Sequence, residues 1–191
     1  MSKSSKGPAF EREICTQLSL WWTRDDDPPR DDVFWRTPNS GGRATTRGKA
    51  GKRTVNTHGD VLAIDPIGQP FLDLFVLELK RGYNRATVHD LLDRPKKAKP
   101  QVYEQWIAKA RRTAADAGVP HWLIVHKRDF REPMVLVPSL VMNGKAVAET
   151  AVGARSVPVA VIDIDGDEQI SIFPLSAFLD VNPKGFGKKG K

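Results

Sequence analysis

The chain has 191 residues and is basic, with 30 Lys and Arg against 23 Asp and Glu and a formal charge of +7. Hydrophobic residues make up 40% of it and charged residues 28%, a mixture that excludes an intrinsically disordered chain. The single cysteine, Cys15, excludes an internal disulfide framework and a cysteine-based zinc cluster. The length suits one domain, and the excess positive charge is compatible with a polyanionic partner.

The sequence also carries information about location and organisation. No apolar run reaches the ~18–20 residues of a membrane helix, and the first residues lack the apolar segment of a signal peptide. With the single cysteine, this predicts a soluble cytoplasmic protein that has no membrane partner. The predicted organisation is a flexible arm over residues 1–8, one folded domain over residues 9–182, and a basic tail over residues 183–191.

Periodic segments predict helices that alternate with strands. Helical spacing of apolar residues predicts one helix from Pro8 to Trp22 and another from Pro100 to Ala117. The predicted strands and the short last helix are, in order, 33–36, 61–64, 71–80, 121–126, 134–137, a hairpin of 157–164 with 169–173, and the helix 175–179. This order predicts a single α/β domain with a mixed central β-sheet flanked by helices.

An acid-free basic segment covers residues 36–59. It is rich in Gly and Thr without an apolar period, which predicts a long loop, and long loops inside compact domains are often functional. We predict that it binds nucleic-acid phosphates. Its cationic residues are Arg36, Arg43, Arg47, Lys49, Lys52 and Arg53. If all of them contacted phosphates, the log–log salt slope of binding would be roughly −5.

Three charged residues on two neighbouring predicted strands form the candidate site. Asp60 stands at the entrance to strand 61–64, and Glu78 and Lys80 leave the same face of the next strand because they are two residues apart. The turn from Asp65 to Pro70 predicts a hairpin that brings Asp60 and Glu78 together. Two carboxylates beside a lysine are costly in an apolar core, and a hard divalent cation such as Mg²⁺ would compensate them.

These residues carry a family resemblance. Gly59-Asp60 followed by Glu78-Leu79-Lys80 resembles the signature of the PD-(D/E)XK nucleases, with Gly59 in the place of the family's proline. The segment from Lys6 to Ile14 resembles the first helix of the archaeal Holliday-junction resolvase branch of that family. The resemblance covers roughly Lys6 to Arg81, and it implies a restriction-endonuclease-like core.

The resemblance also implies an activity, which is the Mg²⁺- or Mn²⁺-dependent hydrolysis of DNA phosphodiester bonds. In the roles that it implies, Asp60 and Glu78 ligate the ion together with the backbone carbonyl of Leu79. Lys80 then orients or activates water, and Glu11 holds a metal-bound water. The remaining residues that the resemblance places near the substrate are Arg36 and Ser40.

Other interpretations stay open on the sequence alone. The chain could bind nucleic acid on the same scaffold without catalysis, or its basic loop could bind an acidic protein surface. Glu78 and Lys80 could form an ordinary salt bridge of ~0–1 kcal/mol on a half-exposed strand. His58 and Gln101 are further candidates, the first for its nearness to Asp60 and the second for its place on the later helix. The sequence does not distinguish DNA from RNA, endonuclease from exonuclease, or a monomer from the homodimer that the resolvase resemblance would imply.

Overall fold

A computed structural model of the protein describes residues 6–38, 58–93, 99–142, 158–164 and 168–187. The helices in these ranges are α1 (Lys6–Trp22), α2 (Gln69–Leu72), α3 (Val102–Ala117), α4 (Ser139–Met142) and α5 (Leu175–Leu179). The strands are β1 (Phe34–Arg36), β2 (Val61–Ala63), β3 (Phe75–Arg81), β4 (His121–Lys127), β5 (Met134–Pro138), β6 (Ala160–Ile164) and β7 (Glu168–Pro174). Short 3₁₀ helices cover Pro66–Gly68, Val88–Leu91 and Pro183–Phe186.

The central sheet has five strands in the order β3-β4-β5-β7-β6. β3 and β4 are parallel, and α3 lies between them in the chain, as a parallel connection requires. The other neighbours in this sheet are antiparallel, including β6 and β7, whose predicted hairpin is confirmed. The predicted fold class, a single α/β domain with a mixed central sheet flanked by helices, is therefore confirmed.

Hydrophobic side chains cover both faces of the sheet. The odd-numbered residues of β3, such as Leu77, are buried with the apolar stripe of α1, which includes Ile14. On the opposite face, Val76 is buried with residues of α3 such as Ile107. The even-numbered residues of β3 therefore point toward α3, and this face also carries the charged residues of the strand.

The predicted hairpin between residues 61–64 and 71–80 is wrong. β2 pairs with β1 in a separate two-stranded antiparallel sheet, and β3 begins only at Phe75. The intervening residues form two helical turns, each with a proline in its first positions, where the fixed φ of proline suits a helix. Phe71 extends the apolar run in the sequence, but in the structure it packs from α2 against Trp21 and Trp22.

Both ends of the described chain take part in the fold. α1 begins at Lys6, so it includes residues 6–8 of the predicted arm. Phe186 is buried against Phe75, so the fold also includes the start of the predicted tail. Among the helices that the structure describes, none has the length and apolar character needed to cross a bilayer.

Candidate active site

Asp60 lies at the edge of β3, although β2 does not pair with that strand. Its backbone N–H donates to the carbonyl of Leu77 at 2.8 Å, and its carbonyl accepts from the N–H of Thr37 at 3.0 Å. Its carboxylate oxygen Oδ2 accepts from the N–H of Leu79 at 2.7 Å. The residue is therefore fixed between β1 and β3 by three hydrogen bonds to backbone groups.

Gly59 explains how the chain comes this close to β3. Its φ is +79°, a conformation that glycine adopts freely and proline cannot, because the ring fixes φ near −65°. A Cβ at this position would lie 2.6 Å from the carbonyl oxygen of Leu77. Glycine therefore stands at position 59, where the family has proline, because the backbone path at this position fits only glycine.

The structure brings together the three residues that the sequence singled out. Glu78 and Lys80 leave the same face of β3, and Lys80 Nζ lies 2.5 Å from Glu78 Oε2 and 3.7 Å from Asp60 Oδ2. Glu78 is 2% exposed and Asp60 is 8% exposed. Two buried carboxylates from different parts of the chain therefore face a single ammonium group.

A second ammonium group, which the sequence analysis missed, comes from α3. Lys109 Nζ donates to Glu78 Oε2 at 2.8 Å, while the lysine side chain stays partly exposed. Lys109 follows the buried Trp106 by one turn of α3 and precedes the buried Ala110. It therefore borders the apolar stripe that packs on the even face of β3. The sequence signal for Lys109 was its position beside the apolar stripe of α3. That position points to the site only if α3 is known to connect β3 with β4 and to pack on β3.

Glu11 reaches the site from α1. The guanidinium of Arg36 donates to its carboxylate, with Nε 3.0 Å from Oε2. Glu13, two residues further along the helix, points elsewhere and pairs with Lys127 at 2.8 Å. Glu11 and Glu13 therefore point to different sides of α1, and Arg36 contacts Glu11.

A cavity of about 410 Å³ connects these groups to solvent. Its walls include Glu11, Asp60, Lys80 and Lys109, together with two aromatic side chains, Tyr83 and Trp106. Acidic, basic and aromatic side chains from α1, β3 and α3 therefore share one opening.

Burial and neighbouring charges set the protonation of the acids. Burial raises the pKa of Asp60, and the charge of Glu78 raises it further against the opposing effect of Lys80. Burial also raises the pKa of Glu11, with a contribution from Asp60. For Glu78, burial is outweighed by the ammonium groups of Lys80 and Lys109, so its pKa is lowered. Glu78 is therefore the securely ionised carboxylate of the cluster.

Lys80 remains charged in this environment. Burial would lower its pKa, but the carboxylates of Glu78 and Asp60 outweigh burial and raise it. An ammonium group with a raised pKa donates hydrogen bonds and supplies positive charge, and it does not accept a proton at neutral pH. Of the two roles considered from the sequence, orienting water fits this state better than activating it by proton abstraction.

The donor set suits a hard divalent cation. Across the described ranges, no group of three or more His, Cys, Asp and Glu side chains converges in the manner of a metal site. Asp60 and Glu78 supply two carboxylates that both contact the Lys80 ammonium, and Leu79 lies between Glu78 and Lys80 in β3. Mg²⁺ is commonly held by one or two carboxylates and retains several waters, so these residues fit such an ion.

The other sequence candidates lie elsewhere or outside the described residues. His58 is half-buried two residues before Asp60. Gln101 stands at the N-terminus of α3, where its amide nitrogen donates to the carbonyl of Lys99 at 3.2 Å. Gln101 therefore has a local role at the helix end. The predicted phosphate-binding residues outside the described ranges are Ser40, Arg43, Arg47, Lys49, Lys52 and Arg53.

A family model matches most of the chain. The model of a family described as "Phage putative PDDEXK endonuclease" matches residues 2–183. The match spans the candidate site from Glu11 to Lys109. No curated protein and no solved structure matches the chain.

Proposed function

Because this chain belongs to the phage putative PDDEXK endonuclease family, we propose that it hydrolyses DNA phosphodiester bonds with Mg²⁺ or Mn²⁺. The observation that carries the proposal is the convergence of the Asp60 and Glu78 carboxylates on Lys80 at the wall of an open cavity. Buried charges in such an arrangement reduce stability unless they are compensated, and they are typical of functional sites.

The contacts support the following roles for these residues. Asp60 and Glu78 hold the metal ion, with the Leu79 carbonyl as a further ligand. A divalent ion held there would supply Lewis-acid activation of the phosphate and of water. Lys80, kept charged by both carboxylates, orients the attacking water and stabilises negative charge on the phosphate. Glu11 positions a water molecule, and Arg36 fixes the orientation of Glu11.

Lys109 adds a second positive charge at the mouth of the site. It contacts the buried Glu78 while its side chain remains partly exposed, so it reaches both the carboxylate and the solvent side. We assign it to binding a non-bridging oxygen of the phosphate. The basic loop would hold the DNA backbone through further phosphates, which position a substrate without reading its sequence.

Structure-selective cleavage, in the manner of a Holliday-junction resolvase, is the finer form of this proposal. It is supported by the position of Glu11, which α1 places at the site beside Arg36, as the resolvase resemblance implies. A second support is that the predicted DNA contacts are mainly with phosphates, which favours recognition of shape over recognition of bases.

A cleavage panel tests the function. Four-way junction, flap, single-stranded and duplex DNA of shared sequence are incubated with Mg²⁺, Mn²⁺ or EDTA. We expect cleavage that EDTA abolishes, and a loss of at least about 100-fold in Glu78→Gln, since that change removes a metal-holding carboxylate. DNA affinity should remain within a few fold of wild type. Glu13→Gln is the matched control, because Glu13 lies on α1 but pairs with Lys127.

Two outcomes would count against the proposal at different levels. If the wild type binds DNA in a salt-dependent way but cleaves none of the substrates with either ion, the non-catalytic binding interpretation replaces it. If it cleaves duplex as fast as the four-way junction, the nuclease function stands and the junction selectivity is wrong.

A further inference from the structure

Tyr83 adopts an unusual backbone conformation at the end of β3. Gly82 and Tyr83 follow that strand with φ values of +88° and +53°. The left-handed region is unfavourable for a residue that has a Cβ, and such strain is maintained only where surrounding contacts impose it. Tyr83 does not recover this cost by burying its ring, because it is 57% exposed.

Contacts from β4 hold Gly82, the residue that precedes Tyr83. The N–H of Gly82 donates to the carbonyl of Lys127 at 3.0 Å, and the Gly82 carbonyl accepts from His126 Nε2 at 2.8 Å. With Nε2 as the donor, His126 Nδ1 accepts from the hydroxyl of Tyr103 at 2.7 Å. The turn that carries Tyr83 is therefore fixed by a chain of buried hydrogen bonds.

The ring of Tyr83 is directed to the active-site cavity. It packs against Trp106 with ring centroids 5.0 Å apart and an interplanar angle of 82°. Tyr83 and Trp106 line the same cavity as Asp60 and Lys80. An exposed aromatic ring thus packs on Trp106 beside the groups that would act on the phosphate.

We propose that Tyr83 stacks on an unpaired nucleobase next to the scissile phosphate, an inference that rests on the nuclease function proposed above. Aromatic rings stack on bases with little dependence on base identity, since every base offers a π-face. A base inside a duplex has both faces covered by its neighbours, so only an unpaired or displaced base can use this ring. The preferred substrate class is therefore DNA with unpaired nucleotides at the cleavage point.

The direct test is a binding measurement in a variant that does not cleave. In the Glu78→Gln background, 2-aminopurine is placed in a short bubble of otherwise duplex DNA. We expect its fluorescence to change on binding when residue 83 is Tyr or Phe, and to stay nearly constant in Tyr83→Ala. Affinity for the bubble should fall about 10- to 100-fold in Tyr83→Ala, with affinity for a fully paired duplex changed far less.

The chain offers a matched control for these variants. Phe130 is also an exposed aromatic residue with a positive φ, of +59°, in the connection between β4 and β5, but it does not line the cavity. Phe130→Ala should leave bubble binding unchanged. Tyr83→Phe retains the ring and should bind the bubble as the parent does. Retained affinity of Tyr83→Ala for the fully paired duplex excludes a general loss of folding as the cause of its effect.

Two outcomes would overturn the stacking inference. One is a Tyr83→Ala variant that binds the bubble as tightly as the parent protein with the same fluorescence change. The other is a Tyr83→Phe variant as weak as Tyr83→Ala, which would assign the effect to the hydroxyl. Failure of the nuclease function is recognised separately. In that case the protein with Glu78 intact does not cleave, whether or not base stacking depends on Tyr83.

Discussion

Two buried polar clusters lie side by side on the same face of the sheet. Lys80 on β3 and His126 on β4 are register partners, so their side chains leave the sheet next to each other. Lys80 faces two carboxylates and opens to the cavity. His126 is 2% exposed, with one ring nitrogen bonded to Tyr103 and the other to Gly82.

The Lys80 and His126 clusters differ in their charge. Burial lowers the pKa of His126, with Arg128 and Arg81 acting in the same direction against its hydrogen bond to Gly82, so the imidazole is neutral. Both of its nitrogens are satisfied by neutral groups, which is how a buried polar side chain supports a fold. The Lys80 cluster instead keeps opposite charges together beside solvent. Burial of polar groups is therefore common to both clusters, whereas opposite charges buried beside the cavity are found in the proposed active site and not around His126.

The largest effect that would test this contrast concerns Lys80. In Lys80→Met, cleavage should fall by about 100- to 1000-fold, because the group that stabilises charge on the phosphate is removed. Single-turnover cleavage at saturating metal measures it. Lys127→Met, at the end of β4 and paired with Glu13, is the control and should cleave at close to the wild-type rate. Near-normal cleavage by Lys80→Met would place the catalytic cation elsewhere.

A smaller effect is expected from the neutral cluster. Tyr103→Phe removes the hydroxyl that donates to His126 Nδ1 and leaves a buried acceptor unpaired, which should lower the free energy of unfolding by about 1–3 kcal/mol. Urea denaturation measures this loss. The rate at which the folded variant cleaves fully paired duplex should remain close to that of wild type, because Tyr103 does not line the cavity. Lost cleavage at unchanged stability would instead assign Tyr103 to the active site.

The smallest effect is a dependence of stability on pH. His126 has a lowered pKa in the folded state, so below about pH 6.5 the unfolded chain binds a proton that the folded chain does not. The stability contribution is present above that pH and is lost as the pH falls, with a slope of up to about 1.4 kcal/mol per pH unit. Urea denaturation of wild type and His126→Gln at several pH values measures it.

The difference between those two proteins isolates the histidine, because other titrating groups contribute to both. Glu11 and Asp60 have raised pKa values and act with the opposite sign, since their folded forms hold protons more strongly than their unfolded forms. If wild type and His126→Gln lost stability in parallel on acidification, the neutral state of the buried imidazole would be contradicted.

The sequence predicted those parts of the fold whose patterns are long and regular. The apolar stripes of α1 and α3 and the alternation along β3 extend over many residues, and packing does not override them. The sequence prediction begins the strand at residue 71 and not at Phe75, because Phe71 extends the apolar run of β3. Its side chain is equally apolar in a helix, and only its packing against Trp21 and Trp22 settles the difference.

The residues of the candidate site also differ in whether a local sequence pattern predicts them. Glu78 and Lys80 were predictable because their relation is local to one strand, and Asp60 because its spacing matches the family signature. Lys109 has no such spacing, since it depends on how α3 crosses over β3. The conformation of Tyr83 depends on hydrogen bonds from β4 to the preceding glycine, so residue type gave no signal for it.

The close approach at Gly59 has a consequence for mutational surveys. The carboxylate of Asp60 is held at β3 by a neighbour that contributes no side chain and takes no part in the chemistry. Any larger residue at position 59 pushes the backbone off the strand and carries the aspartate with it. Screens for loss of activity should therefore score this glycine together with the acids and the lysine.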